Sequence, residues 1–189
     1  MRNLAFKCMR LIFGSTKLND AELARSLDII KIRNADESDL DWVRKELEEG
    51  ARLRHFAPSV ETEAGRFLPA MLSNGCIDMQ NHRGGKIFRS KKVAYALVAE
   101  VNGKPAAFLI SLFEGDEIEL HLAGTLKIFR RKGCLGILIR HMVTTNLKVN
   151  KIYARCYTKS TWAKSCLEKE GFKVTKNGNP CELTYHSSY

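Results

Sequence analysis

Residues 117–143 read EIELHLAGTLKIFRRKGCLGILIRHMV. The first part alternates, with Ile118, Leu120 and Leu122 on one face and Glu117, Glu119 and His121 on the other, the pattern of a half-buried strand. The last part repeats at helical spacing through Leu135, Leu138, Ile139, Met142 and Val143. Between them stand Arg130, Arg131, Lys132 and Gly133. A helix start already carries about half a positive charge and unpaired N–H groups. Cations there are unfavourable unless an anion joins them, and a phosphate is the anion such a start holds best. Gly133 permits the backbone to approach it closely. A basic turn that sits in water would explain the same residues, so the flanking elements carry the weight.

Before this stretch, VAYALVAEV (93–101) is almost wholly apolar, as in a strand covered on both faces. Asn102-Gly103 is a hairpin turn, PAAFLISLF (105–113) returns, and EGD turns again. After it, KIYARCY (151–157) is a strand, and Trp162, Ala163, Cys166 and Leu167 give a helix face ending at Gly171. FKVT and CELTYH close the chain as a hairpin. Upstream, IIKIRNA begins a strand at Ile29. Ser38 opens a helix with Asp41 behind it, Leu40, Val43 and Leu47 inward, and Gly50 as its end. Ala64, Phe67, Leu68, Met71 and Leu72 form a second helix stopped by Asn74-Gly75. CIDMQNHRGGKIFRSKK (76–92) has no clear period and reads as a solvated basic loop, or else as an electropositive rim over an anionic partner. Two helical crossovers in the second half imply at least one parallel pair. The expected fold is α/β: a mixed, mostly antiparallel sheet flanked by helices, in one domain over 28–189, with 1–27 as an N-terminal extension containing a short helix.

Lys and Arg number 31 against 21 Asp and Glu, a formal +10 over 189 residues. Such a surface attracts phosphorylated ligands, nucleic acid or acidic protein. The six cysteines form no CxxC pair or zinc spacing, so the expectation is a reducing, cytoplasmic setting and no metal. Lys7 and Arg10 break the apolar N-terminal run, and no stretch approaches membrane-spanning length, so no membrane insertion is expected.

TLKIFRRKG (125–133) and AKSCLEKEGF (163–172), in this order and spacing, resemble two motifs of the GNAT superfamily of acetyl-CoA-dependent N-acyltransferases. The resemblance covers about Ile29 to Tyr185. The first resembles the pyrophosphate loop Arg/Gln-x-x-Gly-x-Gly/Ala, with Arg130 and Gly133 in its first two fixed places; the second, the helix before the last hairpin, ending in Gly171-Phe172. The resemblance implies acetyl-CoA as acyl donor, held by Arg130, Arg131, Lys132, Gly133, Cys134, Leu135 and Gly136. It also implies a bulged strand around Gly124, Thr125 and Leu126 that admits the pantetheine arm and turns an N–H toward the acetyl oxygen, an oxyanion-hole arrangement.

Acyl transfer also needs a free amine. At pKa ~10.4 a lysine-like amine is about three units uphill at neutral pH, roughly 4–5 kcal/mol. A positioned carboxylate or imidazole lowers that cost. The resemblance points to Glu119 as general base and His121 as second; without it, both would pass for a solvated sheet face. Two positions depart from the pattern. Leu135 holds the third loop place, with Gly136 one later. Leu167 stands where the family commonly has the Tyr that protonates the leaving thiolate; Cys166, Ser165, Ser160 and Tyr157 are the neighbouring candidates. The expected activity is acetyl transfer to a primary amine by direct attack in a ternary complex. The alternative is a non-catalytic acyl-CoA-binding module of the same fold. A nucleic-acid binder would want aromatics interleaved with its cations, and these are lacking. The acceptor — small amine, protein amine or aminoacyl-tRNA — would meet GARLRHFAPS (50–59) and the 176–180 turn. A homodimer is compatible with all of this.

Overall fold

The computed structural model describes residues 29–83 and 86–185; the expected extension 1–27 lies outside them. The order is β1 (Ile30–Asn34), a 3-10 turn (Glu37–Asp39), α1 (Leu40–Arg52), α2 (Ser59–Asn74), β2 (Cys76–Arg83), β3 (Lys86–Val101), β4 (Lys104–Glu114) and β5 (Glu117–Thr125). There follow a second 3-10 turn (Lys127–Phe129), α3 (Cys134–Thr145), β6 (Lys151–Cys156), α4 (Thr161–Lys169), β7 (Phe172–Lys176) and β8 (Cys181–Tyr185). One sheet runs β1-β3-β4-β5-β6-β8-β7, with β2 paired to β3. Every pair is antiparallel except β5–β6. This is the expected mixed, mostly antiparallel α/β fold.

Each sheet face is buried by two helices. Val43 and Leu47 of α1 and Ala64, Leu68 and Met71 of α2 pack on Ala96, Val98, Phe108 and Ile110. On the other face Leu138, Ile139 and Met142 of α3 and Leu167 of α4 pack on Leu97, Leu109, Leu120 and Ala154. This two-sided burial explains why β3 and β4 read as continuous apolar runs.

The first helix starts differently from its expected signal. The box is made by Asp36 and Asp39: the Ser38 N–H donates to Asp36, and the Asp36 N–H donates to Asp39. Asp39 is buried, held by both terminal nitrogens of Arg33 and by the Trp42 Nε1–H at 2.9 Å. Gly50 does not end α1, which continues to Arg52. Its bare Cα makes room for Phe56, whose ring would meet a Cβ there at 2.4 Å.

Residues 76–83 and 86–92 are not a loop. They are β2 and the first half of β3, paired in register from Cys76↔Val93 to Arg83↔Lys86. Ile77 is buried and Asp78 exposed, so the period of two is present but short. Trp162 also departs from expectation: it lies 74% exposed rather than on the inner face of α4.

The bulge falls three residues earlier than expected. Ile110 pairs with Leu122 and Ser111 with Leu120, leaving His121 without a partner on β4. An extra residue reverses which face each later side chain takes. Ile118 and Leu120 therefore face α3, while Leu122 packs in the α1–α2 layer instead of joining them. Gly124 is a packing glycine: a Cβ there would lie 2.6 Å from the Phe108 ring.

Candidate active site

β5 and β6 pair only from Glu117↔Lys151 to Leu120↔Ala154. Beyond Leu120 the bulge turns β5 away, and the two strands separate. A cleft of about 770 Å³ opens at the parting and passes through the sheet. On the α3 side it is lined by Leu120, Ala123, Leu135, Ile139, Ala163 and Leu167; on the α1–α2 side it reaches Phe56, Phe67, Ile77, Glu119 and His121.

Of residues 130–136 only Leu135 lines the cleft; the cationic turn lies just before it in the chain. Gly133 caps α3 in the left-handed region at φ 80°, and Arg131 is left-handed too at φ 67°. No side chain caps the start of α3. The Ile137 N–H already bonds the Gly133 carbonyl, so the N–H groups of Leu135 and Gly136 precede the first intrahelical bond and point out of the helix start. Arg130, Arg131 and Lys132 are exposed. The Arg130 Nε donates to the Thr125 carbonyl at 3.2 Å, tying the turn to the end of β5. The Arg131 guanidinium lies 5.5 Å over the Trp162 ring. Gly136 is buried against Glu170, whose carboxylate would meet a Cβ at 2.9 Å and is itself held by Arg140.

Backbone direction narrows the expected oxyanion donors. The Leu126 N–H donates to the Ala106 carbonyl across β4 and is spent. Groups two apart on a strand point the same way. Gly124 therefore also faces β4, and the N–H groups of Ala123 and Thr125 face the opening beside β6. Of the three strand positions expected at the acyl end, Thr125 alone presents a donor there, and Ala123 joins it.

Glu119 and His121 meet on the α1–α2 side of the cleft, with His121 Nδ1 2.9 Å from Glu119 Oε1. Sequence reasoning missed the other two groups on this carboxylate. Arg155 donates through Nε (3.1 Å) and one terminal nitrogen (2.7 and 2.9 Å), and the Tyr153 hydroxyl donates at 3.3 Å. Burial alone would raise the Glu119 pKa; the bonds and charges of His121 and Arg155 outweigh it and hold the group at about 2. Glu119 is thus a fixed anion, 7% exposed. An ionised carboxylate only accepts, so His121 presents Nδ1–H to it and keeps Nε2 as the basic nitrogen. Burial, and then Glu119, raise the Tyr153 pKa well above a free phenol's. A signal for both partners existed in sequence: Tyr153 and Arg155 alternate outward on KIYARCY, opposite the acids of β5.

Near the place of the expected tyrosine, Leu167 is buried in the cleft wall. Ser160 does not cap α4; its hydroxyl donates to the His55 carbonyl at 2.9 Å. Burial raises the Cys166 thiol pKa, and Cys166 packs beside Gly136. Tyr157 lines the cleft. Among the described residues no cluster could hold a metal, and no helix is long and apolar enough to cross a membrane.

No family model and no curated protein sequence matches the chain. Solved structures do match in fold. The PaiA N-acetyltransferase from Thermoplasma acidophilum in complex with coenzyme A aligns at TM-score 0.57 and 13% identity, covering 82% of this chain and 97% of that one. The aminoglycoside acetyltransferase AAC(6')-Ib with coenzyme A and kanamycin aligns at 0.56 and 18%, covering 84% and 95%. The spermidine N-acetyltransferase from Vibrio cholerae with CoA and spermine aligns at 0.53 and 14%, covering 82% and 92%. The fold is therefore that of the GNAT acetyltransferases.

Proposed function

We propose that the protein is an N-acetyltransferase that carries an acetyl group from acetyl-CoA to a primary amine within a ternary complex. The observation that carries this reading is the parting of β5 and β6, whose cleft runs from Leu135, in the first turn of α3, to a charged dyad on the other side of the sheet. The crystallised neighbours named above bind coenzyme A, and a cleft of this form suits its extended arm.

In this reading the diphosphate lies on the N–H groups at the start of α3, with Arg130, Arg131 and Lys132 around it. The pantetheine arm runs inward past Leu135, Ile139 and Leu167. The Ala123 or Thr125 N–H faces the acetyl oxygen and stabilises the charge that grows there during attack. The amine enters from the α1–α2 side. His121 accepts its proton at Nε2 as the C–N bond forms, and Glu119 holds the imidazole in that tautomer and offsets its charge. Arg155 weighs against Glu119 as the acceptor itself, since a carboxylate with a pKa of about 2 has little affinity for a proton at neutral pH. The C–S bond then breaks. A thiol of pKa ~8.5 leaves as thiolate about 1.5 units above neutrality, and the Tyr157 hydroxyl or water returns the proton.

Leu167 favours a second reading, a binding module that holds acyl-CoA and transfers nothing. Thiol release from acetyl-CoA, followed over small amines, peptides and aminoacyl-tRNA, separates the two. Amine-dependent release is the expected result. Acetyl-CoA binding with no release for any amine, and release restored by Leu167→Tyr, would establish the module.

A further inference from the structure

We propose that the acceptor carries an anionic group, a carboxylate or a phosphate, beside its reacting amine. The inference rests on the acetyltransferase reading and concerns the half of the cleft that faces away from the α3 turn. That half holds three carboxylates, Glu63, Asp78 and Glu119, and each already lies beside a cation. Glu119 is gripped by Arg155; Glu63 Oε1 stands 3.8 Å from Arg66; Asp78 is the cross-strand partner of Lys91. A polyamine or aminoglycoside brings several ammonium groups, and each would have to take a carboxylate from its present partner. The amine that reacts needs none, because it attacks uncharged.

The cations are less fully used. Arg89 lines the same wall and makes no ion pair among the described residues. Arg155 spends Nε and one terminal nitrogen on Glu119; its other terminal nitrogen makes no bond, and the side chain is 46% exposed. Two guanidinium groups with open donors at the amine end match a planar or tetrahedral oxyanion. In charge, this wall is the reverse of what spermine or kanamycin requires.

The test uses pairs that differ only by the anion: phenylalanine and phenethylamine, lysine and cadaverine, phosphoethanolamine and ethanolamine, with spermidine and kanamycin as polycations. With saturating acetyl-CoA, kcat/KM should be higher for the anionic member by about 10–100-fold, the worth of one charge-assisted hydrogen bond. Arg89→Glu should shrink that ratio. Binding is read separately by titrating N-acetylphenylalanine, N-acetylphenethylamine, N-acetylphosphoethanolamine and N-acetylethanolamine into protein loaded with CoA. Tighter binding of the anionic member in at least one pair supports the proposal whether or not turnover is seen. Equal affinities, preference for the neutral or polycationic compounds, or no binding by either anionic compound overturns it. Failure of acetyl-CoA itself to bind is a different outcome, which removes the acetyltransferase reading and this inference with it.

Discussion

At the scale of single residues, the account turns on three side chains. Arg131 holds a left-handed backbone that glycine adopts without cost. Arg131→Gly should therefore leave the melting temperature unchanged or slightly raised, yet weaken acetyl-CoA by about tenfold, the loss of one charged contact. A fall in stability with affinity intact would show that the residue shapes the turn and nothing more. His121→Gln should lower turnover ~10²–10⁴-fold at neutral pH and recover as pH rises and supplies free amine. Acetyl-CoA affinity should not change. A His121→Gln rate within a few fold of wild type across the pH range would return the imidazole to a structural role. Glu119 makes a prediction about stability. Its pKa is depressed from 4.5 to about 2, so it binds protons more readily unfolded than folded. Its contribution is complete above pH about 4.5 and lost as pH falls toward about 2. Urea melts across that window should show wild type losing more stability than Glu119→Gln. Parallel loss in both would mean that the Arg155 pair contributes nothing net.

At the scale of elements, the site depends on where β5 bends. Gly124 lets the Phe108 ring lie against the strand just after the bulge. Gly124→Ala overpacks a ring that is 1% exposed, and should cost about 1–3 kcal/mol, a drop of roughly 2–12 °C in melting temperature for a domain of this size. No change in melting would mean that the strand has slack there. The same strand shows what a sequence carries and what it does not. Its apolar alternation, the Asn102-Gly103 turn, and the cation-glycine turn before α3 are local signals, and each was legible. The bulge is not local. EIELHLAG alternates without a fault, and only the register against β4 shows that His121 is the extra residue and that Leu122 has crossed to the other layer. The grip of Arg155 on Glu119 is likewise set by the parallel pairing of Glu119 with Tyr153, which joins segments 34 residues apart. The hairpin of β2 and β3 was illegible for another reason. It is an edge ribbon whose charged residues fall on both faces, so its period of two is faint.

At the scale of the whole molecule, the twofold layering of helices makes one passage from face to face. The +10 charge includes the exposed cations of the turn before α3 and, in the cleft wall, Arg89 and Arg155. In the proposed reading, the apolar cleft wall takes a long acyl carrier through the sheet where β5 and β6 part. The central claim is that this passage takes acetyl-CoA, and it is tested most directly by calorimetric titration of acetyl-CoA into wild type and Arg130→Ala. The account predicts one site per chain in wild type, a rise in melting temperature with added CoA, and affinity weaker by ~1.5–3 kcal/mol in Arg130→Ala. No binding by the wild-type protein, or equal affinity in the two, would contradict it.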